Sequence, residues 1–163
     1  MTNQRLPVIA ALLVAFVLSS SASAKGPVVK LVVTGPDLIE PIEITNPDAI
    51  DVQVYGATYI DRDLGPIEDV PASPVPPYRV QFYVSLPPDE EIQMKHVVYY
   101  AWDEAQRRAR VYFPGPNDAW WRHNVFTIAL PFHGDWYWTT ETWGQAVRSA
   151  IFEHNDPRVL ANE

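Results

Sequence analysis

Residues 94–138 read MKHVVYYAWDEAQRRARVYFPGPNDAWWRHNVFTIALPFHGDWYW, and this stretch decides the fold. Val97 to Trp102, VVYYAW, is an unbroken run of β-branched, aromatic and small apolar residues, a composition that favours strand over helix. Apolar residues on both phases of the run predict a central strand covered on both faces. The polar run Asp103 to Arg107 follows. Ala109, Val111 and Phe113 then alternate with Arg108, Arg110 and Tyr112, the period of a half-buried strand. Two strands joined by a short polar run make a hairpin. Pro114-Gly115-Pro116-Asn117-Asp118 ends the second strand, because proline gives the ladder no donor and glycine allows positive φ. Further on, Asn124 to Leu130 is expected as a strand ended by Pro131, His133-Gly134-Asp135 as a turn, and Asp135 to Trp138 as a short aromatic strand.

Six tryptophans in one small chain are read first as core and rim, since aromatic rings dominate core energetics. A second reading stays open beside it. If several of Tyr99, Tyr100, Trp102, Tyr112, Trp120, Trp121, Trp136 and Trp138 stand on one exposed face, they form a platform for sugar rings or an apolar peptide. Trp120, Trp121, Trp136 and Trp138 are its candidate ligand-binding residues, and acidic neighbours would fit a polyol or a cationic ligand.

Upstream of the central stretch, Tyr78, Val80, Phe82, Val84 and Leu86 alternate with Arg79, Gln81, Tyr83 and Ser85, the clearest strand pattern in the chain. Val28 to Thr34 and Pro41 to Thr45 are two more strands, separated by the turn Gly35-Pro36-Asp37. Asn46-Pro47-Asp48 starts a helix, with Asn at the N-cap, Pro at the first helical position and an acid in the first turn. Gly56 is its expected stop. Thr58 to Pro77 is acidic, proline-rich and loop-like, so it is expected to be extended and semi-rigid. Downstream, Trp143, Val147, Ala150 and Ile151 fall on one stripe of a 3.6-residue period. This amphipathic C-terminal helix is the expected cover for one sheet face, and Pro157 prevents its continuation.

The ends of the chain are expected to lie outside the fold. Arg5 precedes an apolar run from Leu6 to Leu18, and Ala22-Ser23-Ala24 is an A-x-A cleavage site, so residues 1–24 read as a signal peptide cleaved before Lys25. The apolar run is roughly 13 residues against the roughly 20 a membrane span needs. Residues 25–163 are expected to be a single globular domain, exported to a periplasm or outside the cell, with 157–163 a polar tail. Cysteine is absent, so no lipid anchor on a thiol and no disulfide is available, and stability must come from packing. Twenty acidic residues against 12 basic ones give a net charge of −8, which argues against nucleic acid and anionic membrane as partners.

Chemistry is harder to place. The four histidines, His96, His123, His133 and His154, never stand at i, i+3 or i+4. There is no H-E-x-x-H, no G-x-S-x-G and no glycine-rich phosphate loop. His123 or His133 with Asp135 is the candidate His–carboxylate pair for a hydrolase. Asp61-Arg62-Asp63-Leu64-Gly65 opens like a calcium loop, with alternate carboxylates and a glycine for the turn. The bidentate Glu such a loop needs would fall at Ala72, so Asp61 and Asp63 read first as a solvated acidic loop, with calcium a weak candidate ligand; no other cofactor is expected.

Thr34-Gly35-Pro36 with Pro41-Ile42-Glu43-Ile44-Thr45, Val98-Tyr99-Tyr100-Ala101, Val111-Tyr112-Phe113-Pro114-Gly115, and Gly134-Asp135-Trp136-Tyr137 leading to Trp143 span nearly all of residues 25–163. On these motifs the chain resembles an uncharacterised family of small exported bacterial proteins. The resemblance implies a single-domain architecture and brings no activity, cofactor or catalytic residue with it.

The expectation is therefore an α+β fold: an antiparallel sheet of about five or six strands, a short N-terminal helix, and a C-terminal amphipathic helix packed on one face. Its function is expected to be ligand binding without catalysis, with an extracytoplasmic hydrolase as the alternative.

Overall fold

Six strands pair antiparallel in the order β2-β1-β3-β4-β5-β6. They are β1 (Val28–Thr34), β2 (Ile42–Ile44), β3 (Tyr78–Leu86), β4 (Glu91–Asp103), β5 (Arg108–Tyr112) and β6 (Trp136–Trp138). Among the described residues three α-helices accompany them: α1 (Pro47–Ile50), α2 (Trp121–Asn124) and α3 (Glu141–Asn155). The computed structural model describes residues 26–70, 77–125 and 132–155. The expected leader, the polar tail, most of the expected strand at 124–130 and the prolines at 71, 74 and 76 lie outside them.

The period-2 patterns fix the sheet as expected. Val80, Phe82 and Val84 of β3 are buried on the inner phase, and so are Leu31 and Val33 of β1 and Val98 and Tyr100 of β4. The β4–β5 hairpin turns through residues 104–107 and pairs Trp102 with Ala109. β4 is longer than the 97–102 run because Glu91 to His96 continues the pairing with β3, with one irregularity between Phe82 and Tyr83.

The inner face is covered by α3. Trp143, Val147 and Ile151 are buried along its stripe. Gly144 lies on the same stripe and brings the helix close to β5: a Cβ there would stand 2.8 Å from Ala109 Cβ and 2.4 Å from Thr139 Oγ1. Two hydrogen bonds fasten the contact. Tyr100 donates its hydroxyl to the Gly144 carbonyl at 3.0 Å, and the Trp143 indole N–H donates to the Ala49 carbonyl at 3.1 Å. The second bond ties α3 to α1, whose cap forms as the sequence predicts, Asn46 Oδ1 accepting from the Asp48 N–H at 2.8 Å.

Three local expectations change. α1 is a single turn ending at Ile50, because Asp51 leaves helical geometry well before Gly56. Asn124 ends a helical turn instead of opening a strand, since the Trp120 carbonyl receives the Asn124 N–H. The loop from Thr58 onward is built into the fold. Tyr59 is fully buried on the inner face, its ring centroid 4.9 Å from Phe82 and 5.1 Å from Trp143. Beyond it the chain runs along β6, with the Asp61 and Ile67 N–H groups donating to Trp138 and Trp136 carbonyls, both at 2.8 Å.

Candidate functional site

The sheet register places chemistry on the other, outer face. Arg79 pairs with Tyr99, Tyr99 with Tyr112, and Tyr112 with Trp136. Cross-strand partners share a face, so these four side chains form one row across β3, β4, β5 and β6. With strands about 4.8 Å apart, the row is roughly 14 Å long. Ring centroids are 6.2 Å apart for Tyr99–Tyr112 and 5.5 Å for Tyr112–Trp136. All three rings are half-buried, edged by neighbours yet open to solvent.

The next row along the strands is Ala101, Arg110 and Trp138. Guanidinium groups sit against the indoles: Arg110 is 5.2 Å from the Trp136 centroid, Arg108 5.8 Å from Trp138, and Arg79 5.3 Å from Trp120. Each pair is within cation–π range. The rings thus have arginines as neighbours beside the acids that sequence reading expected, Asp118 among them. Two of these arginines face carboxylates, Arg108 on Asp61 at 2.6 Å and Arg110 near Asp103 at 3.9 Å.

Two polar devices hold the row. Asp118 Oδ2 accepts from the Tyr112 hydroxyl at 2.8 Å and from the Gly115 N–H at 2.7 Å, so one carboxylate fixes both the ring and the turn that ends β5. Burial and Asp118 both push the Tyr112 phenol upward, which keeps it a donor. Asn124, fully buried on α2, fills the place beside β4 that β5 is too short to reach. Its amide accepts from the Val97 N–H at 2.9 Å and donates to the Val97 carbonyl at 2.6 Å, as a paired strand residue would.

Of the sequence candidates, Trp136 and Trp138 belong to the outer face, and Trp120 borders it through Arg79. Trp121 is half-buried at the start of α2, without a ring contact to the row among the described residues. Tyr100 and Trp102 point to the inner side, where Arg148 stacks on Trp102 at 3.9 Å. The electrostatic field of His133 and His123 reaches His96, but no histidine meets a carboxylate among the described residues. Among those same residues, both ring nitrogens of His133 and Nε2 of His123 are buried without a hydrogen-bond partner, and Asp135 is exposed. His96 is fully buried on the inner face, its Nε2 2.8 Å from the Tyr59 hydroxyl. Desolvation, then the charges of His133 and His123, lowers its pKa to about 3, so it stays neutral at ordinary pH.

Asp61 uses its carboxylate on Arg108, and Asp63 is exposed in the 3-10 turn 62–64. A calcium ion there would have to compete with that guanidinium. Among the described residues no group of three His, Asp or Glu side chains is placed to hold a metal. An open cleft of about 750 Å³ lies elsewhere, between the start of β1 and residues 47–56. Asp51 and Tyr55 are its titratable lining groups, and it holds none of the histidines or stacked rings. The outer face is therefore the better-equipped surface.

Sequence reasoning missed Arg79, Arg110, Asp118 and Asn124 as parts of this surface. Arg79 was within reach, since it stands on the polar phase of the 78–86 alternation. Comparison with protein families, curated proteins and solved structures returned no match to this chain.

Proposed function

We propose that this chain is an exported, non-enzymatic binding domain whose outer sheet face takes a carbohydrate. The observation that carries the reading is the in-register row Tyr99, Tyr112 and Trp136, with rings 6.2 and 5.5 Å apart. The apolar C–H face of a pyranose stacks on the electron-rich face of an aromatic ring, and adjacent rings in one row offer successive sugars the same contact. Rings held by a sheet lose little freedom on binding, which favours affinity. Asp118 supports catalysis poorly, because both the Tyr112 hydroxyl and the Gly115 N–H already use its Oδ2; its position suits fixing a ring.

A peptide adding as a strand beside β6 is the less favoured ligand. The 59–67 segment already donates to the Trp136 and Trp138 carbonyls on that edge. Export rests on the A-x-A leader signature alone.

Affinity electrophoresis through native gels containing soluble polysaccharides tests the proposal. The wild-type domain should be retarded by at least one glycan, and the double variant Tyr112→Ala/Trp136→Ala should migrate freely. Equal retardation of both proteins, or none across neutral and acidic glycans, would remove the reading.

A further inference from the structure

We infer that the saccharide taken by the outer face is an acidic one, its carboxylate held by Arg79 while its rings lie on Tyr99, Tyr112 and Trp136. The inference rests on the carbohydrate reading of that face and adds the charge of the ligand.

Three observations carry it. The first is the distribution of charge on this face. Arg79, Arg108 and Arg110 stand at its aromatic end, and Asp61 and Asp103 answer Arg108 and Arg110. The second is the state of Arg79. Lys30, Arg108 and Arg148 each contact a carboxylate at 2.6, 2.6 and 3.2 Å. Arg79 has no carboxylate at ion-pair distance among the described residues, and its buried Nε has no hydrogen-bond partner among them.

The third is geometry. Arg79 is the first member of the row, directly across from Tyr99, and its guanidinium lies over Trp120, 5.3 Å from the ring centroid. A cation–π contact uses no N–H, so the terminal Nη donors are left for an acceptor. A carboxylate matches that fork with two parallel hydrogen bonds, and a charged acceptor makes them about twice as strong as neutral ones. A sugar lying on Tyr99 would bring a ring carboxylate to this edge. The net charge of −8 repels a long polyanion at a distance, so a short saccharide with few carboxylates fits better than a densely charged polymer.

A matched pair of trisaccharides tests this: β-1,4-linked triglucuronate and cellotriose, which share a flat backbone and differ in the C6 carboxylates. Calorimetric titration of the wild-type domain should show triglucuronate binding at least about tenfold tighter, as a charge-assisted bidentate contact gives. Arg79→Met keeps the stem and removes the donors, so it should erase the preference, with triglucuronate falling at least about tenfold to the level of cellotriose. Arg79→Lys should restore a part of it, which a purely structural role would not. Thermal melts of each variant establish that it is folded. Equal affinity for both sugars, or a preference that survives Arg79→Met, overturns the inference and leaves the carbohydrate reading standing. Failure of the wild type to bind either sugar overturns the inference, and the gel series then decides the carbohydrate reading by itself.

Discussion

The Tyr112 hydroxyl donates to Asp118 Oδ2 at 2.8 Å, and the same oxygen accepts the Gly115 N–H at 2.7 Å. One carboxylate therefore couples the middle ring of the outer row to the turn after β5. Asp118→Ala should cost about 1–3 kcal/mol of stability, since two donors lose a charged acceptor. It should also weaken glycan binding, because Tyr112 is no longer held at one angle. Asp118→Asn retains an oxygen and should lose less of both. Denaturant melts paired with titrations check this, and an Asp118→Ala variant with unchanged affinity would show that the ring is positioned by packing alone.

His96 predicts an acid limb. Its pKa is about 3 in the folded protein against 6.5 for the unperturbed side chain, from desolvation first and then the charges of His133 and His123. Between these values the unfolded chain takes up a proton that the folded chain refuses. Stability must therefore fall as pH drops from about 6.5 towards 3, by up to about 1.4 kcal/mol per pH unit from this group. His96→Gln keeps an acceptor for Tyr59 and removes the titration. Urea unfolding at pH 7, 6, 5 and 4 should show the variant weaker at pH 7 but losing stability more slowly on acidification. Parallel pH profiles for the two proteins would contradict this assignment.

Asn124 should be one of the costliest polar positions to change. Its amide satisfies both the N–H and the carbonyl of Val97, and both residues are fully buried. Asn124→Ala leaves two backbone groups unpaired, at a cost of about 2–4 kcal/mol. Asn124→Asp should be no better, because a carboxylate meets the Val97 carbonyl with an acceptor instead of a donor. Amide exchange at Val97, slow in the wild type, should speed up in both variants. Protection that survives the substitutions would mean the bond is dispensable.

The α3 interface makes two steric predictions. Trp143→Ala removes a buried ring that contacts Tyr59, Phe82 and Tyr100, and should cost about 3–5 kcal/mol. Gly144→Ala adds one methyl where Thr139 and Ala109 stand at 2.4 and 2.8 Å, so the helix must lift from β5 and the change should destabilise by about 1–3 kcal/mol. The exposed Ser149 on the same helix provides the control: Ser149→Ala should change stability by no more than about 0.5 kcal/mol. Thermal or denaturant unfolding of the three variants would read these differences, and a neutral Gly144→Ala would show that α3 is not seated tightly.

Much of this architecture is legible in the sequence because it rests on local pattern. The alternation of Tyr78 to Leu86, the VVYYAW run and the stripe of Trp143, Val147 and Ile151 each state a period and a buried face. Asn46 and Pro47 state a helix start. The ligand surface is legible only as a set of aromatics, because its order depends on register. The irregularity between Phe82 and Tyr83 and the length of the 104–107 turn decide that Arg79, Tyr99, Tyr112 and Trp136 share a row. Tyr59 reads as loop because glycine, proline and acids surround it, and tertiary packing overrides that composition. Asn124 reads as strand because the spacing of Trp120, Trp121 and Val125 fits neither period, and one helical turn resolves the ambiguity.

The binding face has a built-in control. Trp136 lies in the outer row and Trp120 lies under Arg79 beside it, whereas Trp143 is buried between the sheet and α3. The most direct measurement is the ¹H–¹⁵N spectrum of the tryptophan indole N–H groups during titration with triglucuronate and, separately, cellotriose. The Trp136 and Trp120 signals should move with saturation while Trp143 stays in place. Indole signals that stay fixed with both sugars, or a shift confined to Trp143, would contradict a carbohydrate site on the outer face.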